Sequence, residues 1–384
     1  MRNMQNPFKY GSVVGKESFC NRRRELSDIS RAMENGDKLF IYSERRLGKT
    51  SLAKLALERL PRTQYVAAYV DLWPTDGEAS FAAAVAKGIS KSMATTADKL
   101  LDVAGTFFGR LAPSITLDDQ GKPQVTFGLS RAADSEIELD ELLSAPGRIA
   151  QQGKKKVVVV LDEFQQIAEY GNDRVERSLR SAVQTQEAVS YLFLGSRKHL
   201  IQKMFLDKSR PLYRAGGHYP LGMIAEEHWL PFIHEKFRDA DRHIGEELIR
   251  SLCRLTEGHP FYTQHLCHAL WELSDTNSTV TEERLGAAVQ MLLERESYTY
   301  AILWESLSIN QQRLLRGLGD APEEVKPFSA KFVRTHRLGS PSNAQRALKA
   351  LIERDIVDRD NGSLLISDRF FRIWIQSRQN NERT

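Results

Sequence analysis

The sequence predicts an α/β domain with a parallel sheet over its first 220 residues, followed by a region that is almost entirely helical. Short apolar runs alternate with longer amphipathic runs up to about residue 220, and the strand signal disappears beyond that point. Strands separated by helices favour a parallel sheet with helices on both faces. A length of 384 residues allows two or three domains.

The individual elements follow from apolar periodicity. Short apolar runs predict buried strands at 39–42, 65–72, 156–164 and 191–194. Apolar residues at helical spacing predict helices at 51–60, 81–93, 225–238, 245–256, 260–274 and 281–296. Segment 111–130 carries prolines and glycines between apolar residues, which indicates a loop or a small hairpin. From residue 298 onward we expect three helices and then a short hairpin.

The composition is ordinary for a soluble globular protein, with 41% hydrophobic and 27% charged residues. A net charge of +4 argues against a histone-like, strongly basic nucleic-acid protein. Three scattered cysteines are too few for a disulfide framework or a zinc site, and they fit a reducing compartment. No apolar stretch approaches the roughly 18 residues that span a bilayer. We therefore expect a cytoplasmic protein with no signal peptide and no membrane contact.

The sharpest motif lies between the first predicted strand and the first predicted helix. It matches the phosphate-loop pattern G-x-x-x-x-G-K-[ST] at every fixed position except the first, which is Ser43. In such a loop, backbone N–H groups and the helix N-terminus point at phosphates, Lys49 contacts the β- and γ-phosphates, and Thr50 ligates magnesium. The predicted nucleotide-binding residues here are Ser43, Glu44, Arg45, Arg46, Leu47, Gly48, Lys49, Thr50 and Ser51.

Ser43 is the departure from this pattern. If its position needs a left-handed backbone, a residue other than glycine costs about 1–2 kcal/mol there. That cost would weaken the loop without excluding nucleotide binding. The other interpretation is a chance Gly-Lys-Thr at the start of a helix.

The second motif is a run of four valines and a leucine that ends in Asp162 and Glu163. A continuous run of this kind is typical of a central parallel strand, and ligands bind at the carboxyl ends of such strands. We expect Asp162 to hold magnesium, directly or through water. Glu163 is expected to orient and deprotonate the attacking water. The alternative is a solvated strand end.

A third motif follows the strand at 191–194, where Ser196 and Arg197 end the apolar run. Ser196 is in place to sense a γ-phosphate by hydrogen bonding, and Arg197 to pair with a phosphate or with Glu163. An ordinary strand-to-helix turn with serine as the cap explains the same residues equally well.

Together these residues resemble the archaeal-type ATPases of the P-loop class, which are related to the STAND and AAA+ ATPases. Four further stretches carry the resemblance. They are the N-P-F at 6–8 with the F-x-G-R-E-x-E-L box at 19–26, the D-E-F-Q at 162–165, the G-x-P at 258–260, and a winged helix at 298–384. Arg22 matches the box, whereas Asn21 and Arg23 depart from it.

The resemblance implies three domains: a P-loop ATPase domain at 1–220, a helical lid at 221–297 and a winged helix at 298–384. It also implies that ATP and Mg²⁺ bind, with the N-terminal box (Phe8 and Arg22) and Pro260 flanking the adenine. Proline at the first position of a helix is common in any case.

The double arginine at 45 and 46 is also typical of the family. A loop arginine can stabilise γ-phosphate charge, in cis or across subunits of a homo-oligomer. Arg45 and Arg46 can equally be solvated side chains that contact another domain. Arg210 and Arg214 are further candidates for a trans-acting arginine.

The excess positive charge lies in the last domain. Residues 298–384 hold 14 basic and 10 acidic side chains, so the rest of the chain is neutral. A helix-turn-helix is expected there, with helix 331–338, a turn at 339–341 and a second helix 343–354 capped by Ser342, followed by a wing at 364–366. Such a motif places its second helix in the major groove of duplex DNA. The candidate contacts are Asn343, Gln345, Arg346 and Lys349. Many winged helices bind proteins instead.

Three hypotheses remain open at this stage. The first is a slow ATPase that acts as a nucleotide-driven switch on DNA or on a protein partner. The second is a scaffold that binds ATP or ADP with little turnover, which Ser43 favours slightly. The third is a transcription regulator in which the nucleotide fold is only a sensor.

Overall fold

The computed structural model describes residues 5–12, 15, 19–94, 97–109, 113–117, 123–127, 135–320, 326–360 and 362–383. The chain forms two compact units. The first is Arg22–Gly222, here called the sheet unit, and the second joins Met1–Asn21 to Met223–Thr384 and is called the helical unit. Half of the predicted hairpin segment 111–130, residues 113–117 and 123–127, lies within the described residues, and its remaining positions lie outside them.

A parallel sheet is the centre of the sheet unit. Its strands are β1 (Lys38–Tyr42), β2 (Tyr65–Asp71), β5 (Lys156–Asp162), β6 (Val189–Gly195) and β7 (Gly217–Pro220). Their spatial order is β2-β5-β6-β1-β7, and every neighbouring pair is parallel. The α/β fold predicted from the alternating pattern is confirmed.

Helices surround this sheet: α1 (Arg23–Asn35), α2 (Lys49–Arg59), α3 (Glu78–Met93), α4 (Ala97–Phe108), α5 (Ser135–Gly153), α6 (Arg174–Thr185) and α7 (Lys198–Leu206). A 3-10 helix, Phe164–Glu169, follows β5. The inserted segment is a hairpin of β3 (Pro113–Leu117) and β4 (Pro123–Phe127), as its apolar spacing suggested. All four valines of β5 are buried, which is why this strand is so apolar.

Strand β7 was not predicted from the sequence. It lies at the edge of the sheet beside β1, and most of its four residues are exposed. An edge strand with little burial carries no apolar run or alternation, so nothing in its composition distinguishes it from a loop.

The helical unit has its own hydrophobic core. Its helices are α8 (Glu226–Arg238), α9 (Glu246–Thr256), α10 (Pro260–Glu272), α11 (Glu282–Glu305), α12 (Ile309–Asp320), α13 (Ala330–Thr335), α14 (Pro341–Glu353) and α15 (Arg369–Arg383), with a hairpin of β8 (Val357–Asp360) and β9 (Ser363–Ile366). The N-terminal segment packs into this core through Phe8, whose ring centroid lies 5.4 Å from that of Phe237.

Several helix ends differ from the sequence prediction. Helix α11 does not end at residue 296 but continues to Glu305, so one helix crosses the predicted domain boundary at 297. Helix α15 was not predicted, although Phe370, Phe371 and Trp374 follow helical spacing and are buried. Ser340, not Ser342, caps α14 by accepting a hydrogen bond from the Asn343 N–H at 3.2 Å, and Pro341 is the first helical residue.

Candidate active site

The parallel order of β1, β6 and β5 brings three predicted motifs to one edge of the sheet. The phosphate loop leaves the carboxyl end of β1, Asp162 ends β5, and Ser196 follows β6. Loop and sheet also bond directly, because the Ser43 N–H donates to the Gly195 carbonyl at 3.3 Å. These motifs are far apart in the chain, so the sheet order alone brings them together.

The loop turns into α2 through two left-handed residues. Gly48, the N-cap, has φ +91°, and Arg46 has φ +62°. Glycine adopts this conformation without steric cost, which explains the second glycine of the motif. Within the described residues no side chain caps α2. Its first N–H groups are therefore available to an anion.

Ser43 does not carry the strain that its departure from the motif suggested. It is fully buried, and it is not among the residues with positive φ. Its hydroxyl instead accepts a hydrogen bond from Lys49 Nζ at 2.7 Å and donates to the Glu44 carbonyl at 2.8 Å. Serine therefore fits this position without the conformational penalty that a left-handed backbone would impose.

Lys49 is buried at the start of α2. Its Nζ donates to the Ser43 hydroxyl and, at 2.8 Å, to the Glu44 carbonyl. Burial lowers the pKa of Lys49 to about 8, and the nearby carboxylates of Glu163 and Asp162 oppose that shift. The loop thus holds a poorly solvated cation that a phosphate would stabilise.

Asp162 is 3% exposed at the end of β5. One of its oxygens accepts hydrogen bonds from the Thr50 hydroxyl and from the Tyr69 hydroxyl, both at 2.6 Å. Burial raises the pKa of this carboxyl, and these hydrogen bonds oppose the rise. A cation beside Asp162 would offset the same desolvation.

Magnesium fits this pair of residues. Hydroxyl and carboxylate oxygens are its preferred ligands, and it usually takes one or two protein ligands, phosphates and waters. Among the described residues there is no group of three or more His, Cys, Asp or Glu side chains that could hold a metal alone. Thr50 and Asp162 would therefore ligate Mg²⁺ together with the nucleotide.

Glu163 lies directly after β5 in a left-handed conformation, with φ +52°. Its Oε2 accepts hydrogen bonds from Gln165 Nε2 at 2.5 Å and from the Ser196 hydroxyl at 2.9 Å. The predicted base and the predicted sensor are thus in contact. A carboxylate anchored through one oxygen can present the other to water.

Two residues of the site were missed from the sequence, Tyr69 and Gln165. Tyr69 reaches Asp162 because β2 pairs with β5, where Tyr69 is in register with Val160. Gln165 appeared only as a letter of the D-E-F-Q resemblance. The polar end of a tyrosine inside a buried strand was the one available signal for Tyr69.

The arginines considered for a catalytic role lie in different surroundings. Arg45 and Arg46 are exposed on the loop. Arg197 pairs with Glu169 at 3.2 Å and not with Glu163. Arg210 is bonded to the buried Glu176, so it is held within the sheet unit. Arg214 lies over the Tyr213 ring, 5.3 Å from its centroid.

The three residues that were predicted to flank the adenine, Arg22, Phe8 and Pro260, have structural roles in the two units. Arg22, in the sheet unit, is buried and donates to Glu25 and to the Gly222 carbonyl, both at 2.6 Å. In the helical unit, Phe8 is 1% exposed within the core, and half-buried Pro260 is the first residue of α10. Their predicted place beside the adenine stays a prediction.

On α14, Gln345, Arg346 and Lys349 are exposed, whereas Ala344, Ala347 and Leu348 are buried. Half-buried Asn343 accepts a hydrogen bond from Arg346 at 2.6 Å. Gln345, Arg346 and Lys349, three of the predicted DNA contacts, therefore lie on the polar face of this helix.

The fold agrees with the comparisons to known proteins. Residues 19–266 match the model of a family described as an ATPase domain predominantly from Archaea. The chain belongs to this family. Residues 298–377 match a probable winged helix domain, as expected. No curated protein sequence matches the chain.

Solved structures show the same fold for this archaeal-type ATPase. A Walker-type ATPase of Pyrococcus abyssi is similar with a TM-score of 0.65 and 14% identity, over 96% of this chain and 99% of that chain. The ORC2 protein of Aeropyrum pernix, solved as ADPNP–ADP complexes, has a TM-score of 0.58 and 16% identity, over 98% and 99%. None of the described helices is long and apolar enough to cross a membrane.

Proposed function

We propose that this archaeal-type ATPase hydrolyses ATP with Mg²⁺ and uses the nucleotide as a conformational switch on duplex DNA or on a protein partner. One observation carries the proposal: Lys49, Thr50, Asp162 and Glu163 meet at the carboxyl edge of one parallel sheet. A cation, a pair of magnesium ligands and a carboxylate base are the parts that phosphoryl transfer to water needs.

Phosphate binding would begin at the loop. The uncapped N–H groups of α2 and the Lys49 ammonium would bind the β- and γ-phosphates in place of the Ser43 and Glu44 oxygens that Lys49 now contacts. Magnesium would neutralise charge on the same phosphates. Thr50 and Asp162 would hold it there.

Hydrolysis would use Glu163. Its carboxylate would orient a water in line with the γ-phosphate and accept the proton of that water. The Ser196 hydroxyl, which contacts Glu163, can turn to donate to a γ-phosphate oxygen. Exposed Arg45 and Arg46 would stabilise the same charge, in cis or across a homo-oligomer, a role worth up to about 10³–10⁵ in rate.

The output of the switch would be the helical unit. A ligand shifts a conformational equilibrium only through different affinities for the two states. ATP and ADP differ by the γ-phosphate, which Lys49 and Ser196 would contact. The exposed polar face of α14 is the surface that we propose for duplex DNA, and a protein partner is the alternative use of the same surface.

Replacing Glu163 with glutamine tests the catalytic step. We expect Glu163→Gln to lower kcat by about 10²–10⁴-fold, because the amide cannot accept the proton. The affinity for an ATP analogue should stay within about twofold, since no phosphate contact is lost. A matched control is Glu169→Gln, the same change at the end of the same 3-10 helix, where Glu169 pairs with Arg197.

If the wild type hydrolyses ATP and Glu163→Gln does so at the same rate, the assignment of the base is refuted. If the wild type binds ATP tightly but releases no phosphate above the uncatalysed rate, the chain is a nucleotide-binding scaffold or sensor instead. Steady-state phosphate release and equilibrium nucleotide titration separate these outcomes.

A further inference from the structure

Gln165 is a buried amide whose position the proposed hydrolysis does not explain. It is 2% exposed in the first turn of the 3-10 helix that follows β5. Its Nε2 donates to Glu163 Oε2 at 2.5 Å, and its Oε1 accepts from the Ser196 N–H at 3.2 Å. One side chain therefore bridges the proposed base and the proposed sensor.

The three residues form a closed set of hydrogen bonds, which we call the clasp: Glu163, Gln165 and Ser196. The Ser196 hydroxyl donates to the same Glu163 oxygen at 2.9 Å, and Gln165 Nε2 lies 3.5 Å from that hydroxyl. Both bonds to the carboxylate go to Oε2. Among the described residues this leaves Oε1 as the oxygen that can face a water.

The end of β6 provides the space for the clasp. A Cβ atom at Gly195 would lie 2.9 Å from Gln165 Oε1 and closer still to Ile201, which real Cβ atoms do not tolerate. Gly195 has no positive φ, so the glycine is needed for space and not for its backbone conformation. The carboxyl end of β6 therefore accommodates the Gln165 amide.

The backbone of Glu163 needs such support. A left-handed conformation at a residue other than glycine costs about 1–2 kcal/mol. Strained residues of this kind persist at functional sites only where the surroundings hold them. Hydrogen bonds to a charged group are among the stronger ones available for that purpose.

We propose that Gln165 is a positioning residue for hydrolysis: by holding Oε2 of Glu163, it keeps Oε1 directed at the attacking water. The inference rests on the proposed role of Glu163 as base. It also explains why two donors share one oxygen. When Ser196 turns its hydroxyl to a γ-phosphate, Gln165 alone still anchors the carboxylate.

The test compares two neighbouring glutamines in the same turn. Gln165→Met keeps the length of the side chain and removes both bonds of the clasp. Gln166→Met is the matched control, because Gln166 Nε2 donates to the Thr75 carbonyl at 3.1 Å and does not contact Glu163. We expect Gln165→Met to lower kcat about tenfold or more with unchanged ATP-analogue affinity, and the control to keep kcat within about twofold.

A second variant covers the case in which methionine disturbs folding. Gln165→Leu removes the same two hydrogen bonds with an apolar side chain of a different shape. It should show the same loss of kcat with unchanged affinity. A purely structural role would affect binding and stability along with kcat.

A crystal structure of Gln165→Met with a slowly hydrolysed ATP analogue gives a readout that does not depend on hydrolysis. We expect the Glu163 carboxylate to leave its original place in that variant, because Ser196 turns to the γ-phosphate and Gln165 no longer anchors Oε2. Unchanged kcat beside an active wild type, or a Glu163 carboxylate in its original place, would overturn the inference. Absence of hydrolysis in the wild type and in the control would refute the proposed function instead, and the crystal structure would still decide the clasp.

Discussion

At the scale of single residues, the site is organised by burial of charge. Lys49 and Asp162 are both removed from water, and each is partly compensated by hydroxyl or carbonyl oxygens from its own loop or from a neighbouring strand. Burial lowers the pKa of Lys49 and raises the pKa of Asp162, so it favours the neutral form of each group. The nucleotide phosphates would supply a negative charge beside Lys49, and magnesium a positive charge beside Asp162. Ligand binding would therefore offset the cost of burying these two groups.

This linkage predicts a pH dependence for nucleotide binding. Because burial lowers the pKa of Lys49 to about 8 in the empty protein, the ammonium is lost above that pH. The affinity for an ATP analogue should then fall by up to about tenfold per pH unit above pH 8. Isothermal titration across this range measures it. Lys49→Met should bind more weakly at neutral pH and show no break near pH 8.

The stability of the empty protein should change in the opposite sense. An unfolded lysine titrates at 10.5, so between about pH 8 and 10.5 the unfolded chain binds more protons than the folded one. The Lys49 contribution to the free energy of unfolding therefore rises with pH across this window. A wild type whose nucleotide affinity shows no break near pH 8 would contradict the assignment of Lys49 as the titrating group. A Lys49→Met variant that shows the same break would contradict it too.

At the scale of elements, ion pairs connect the turn after α9 to the start of α15 inside the helical unit. Glu257 follows α9 with φ +54°, and its carboxylate accepts hydrogen bonds from Arg369 Nε at 2.9 Å and from Arg372. Arg369 is fully buried at the first position of α15. The turn that leads into Pro260 is thus joined to the last helix of the chain.

Replacing Glu257 with glutamine should destabilise the helical unit. The change removes the carboxylate to which Arg372 and the buried Arg369 donate, and breaking such a pair typically costs about 3–5 kcal/mol. Four of the five tryptophans lie in the helical unit, so urea denaturation followed by tryptophan fluorescence reports mainly on it.

The matched control is Glu246→Gln on α9, because Glu246 is largely exposed and pairs with Arg250 at 3.7 Å. Exposed pairs contribute about 0–1 kcal/mol. Equal losses of stability in the two variants would show that the Glu257 cluster is not a structural link.

At the scale of the whole molecule, the distribution of charge indicates more about DNA binding than the net charge does. The chain carries only +4, and this entire excess lies in residues 298–384. There, Arg346 and Lys349 stand on the exposed face of α14. Contacts with phosphates release counterions, so duplex binding by this face must weaken as salt rises.

We therefore expect the full chain to bind duplex DNA at low salt with a measurable salt slope. Removing Arg346 and Lys349 together by alanine should reduce that slope by about 2, since each phosphate contact contributes about 0.9. The control removes two basic residues from α8, Lys236 and Arg238. Equal effects of the two double variants, or no affinity at low salt, would exclude α14 as the duplex contact.

Much of this architecture was readable from local patterns. The valine run indicated β5, and the strand–loop–helix context of Gly48-Lys49-Thr50 indicated the phosphate loop, because both patterns encode burial or backbone geometry in adjacent residues. Edge strand β7 and helix α15 were missed. The former has too little burial to leave a pattern, and the latter has a short apolar group, Phe370, Phe371 and Trp374, in a segment that is otherwise mostly polar.

Residue patterns alone predict the fold class, indicate the family and single out Lys49, Thr50, Asp162 and Glu163 as candidates. What these side chains contact depends on how distant parts of the chain pack. Tyr69 reaches Asp162 because β2 pairs with β5, and Gln165 reaches Ser196 because β6 lies beside β5. Strand order and side-chain contacts depend on packing between distant segments, and no local pattern of residues encodes such packing.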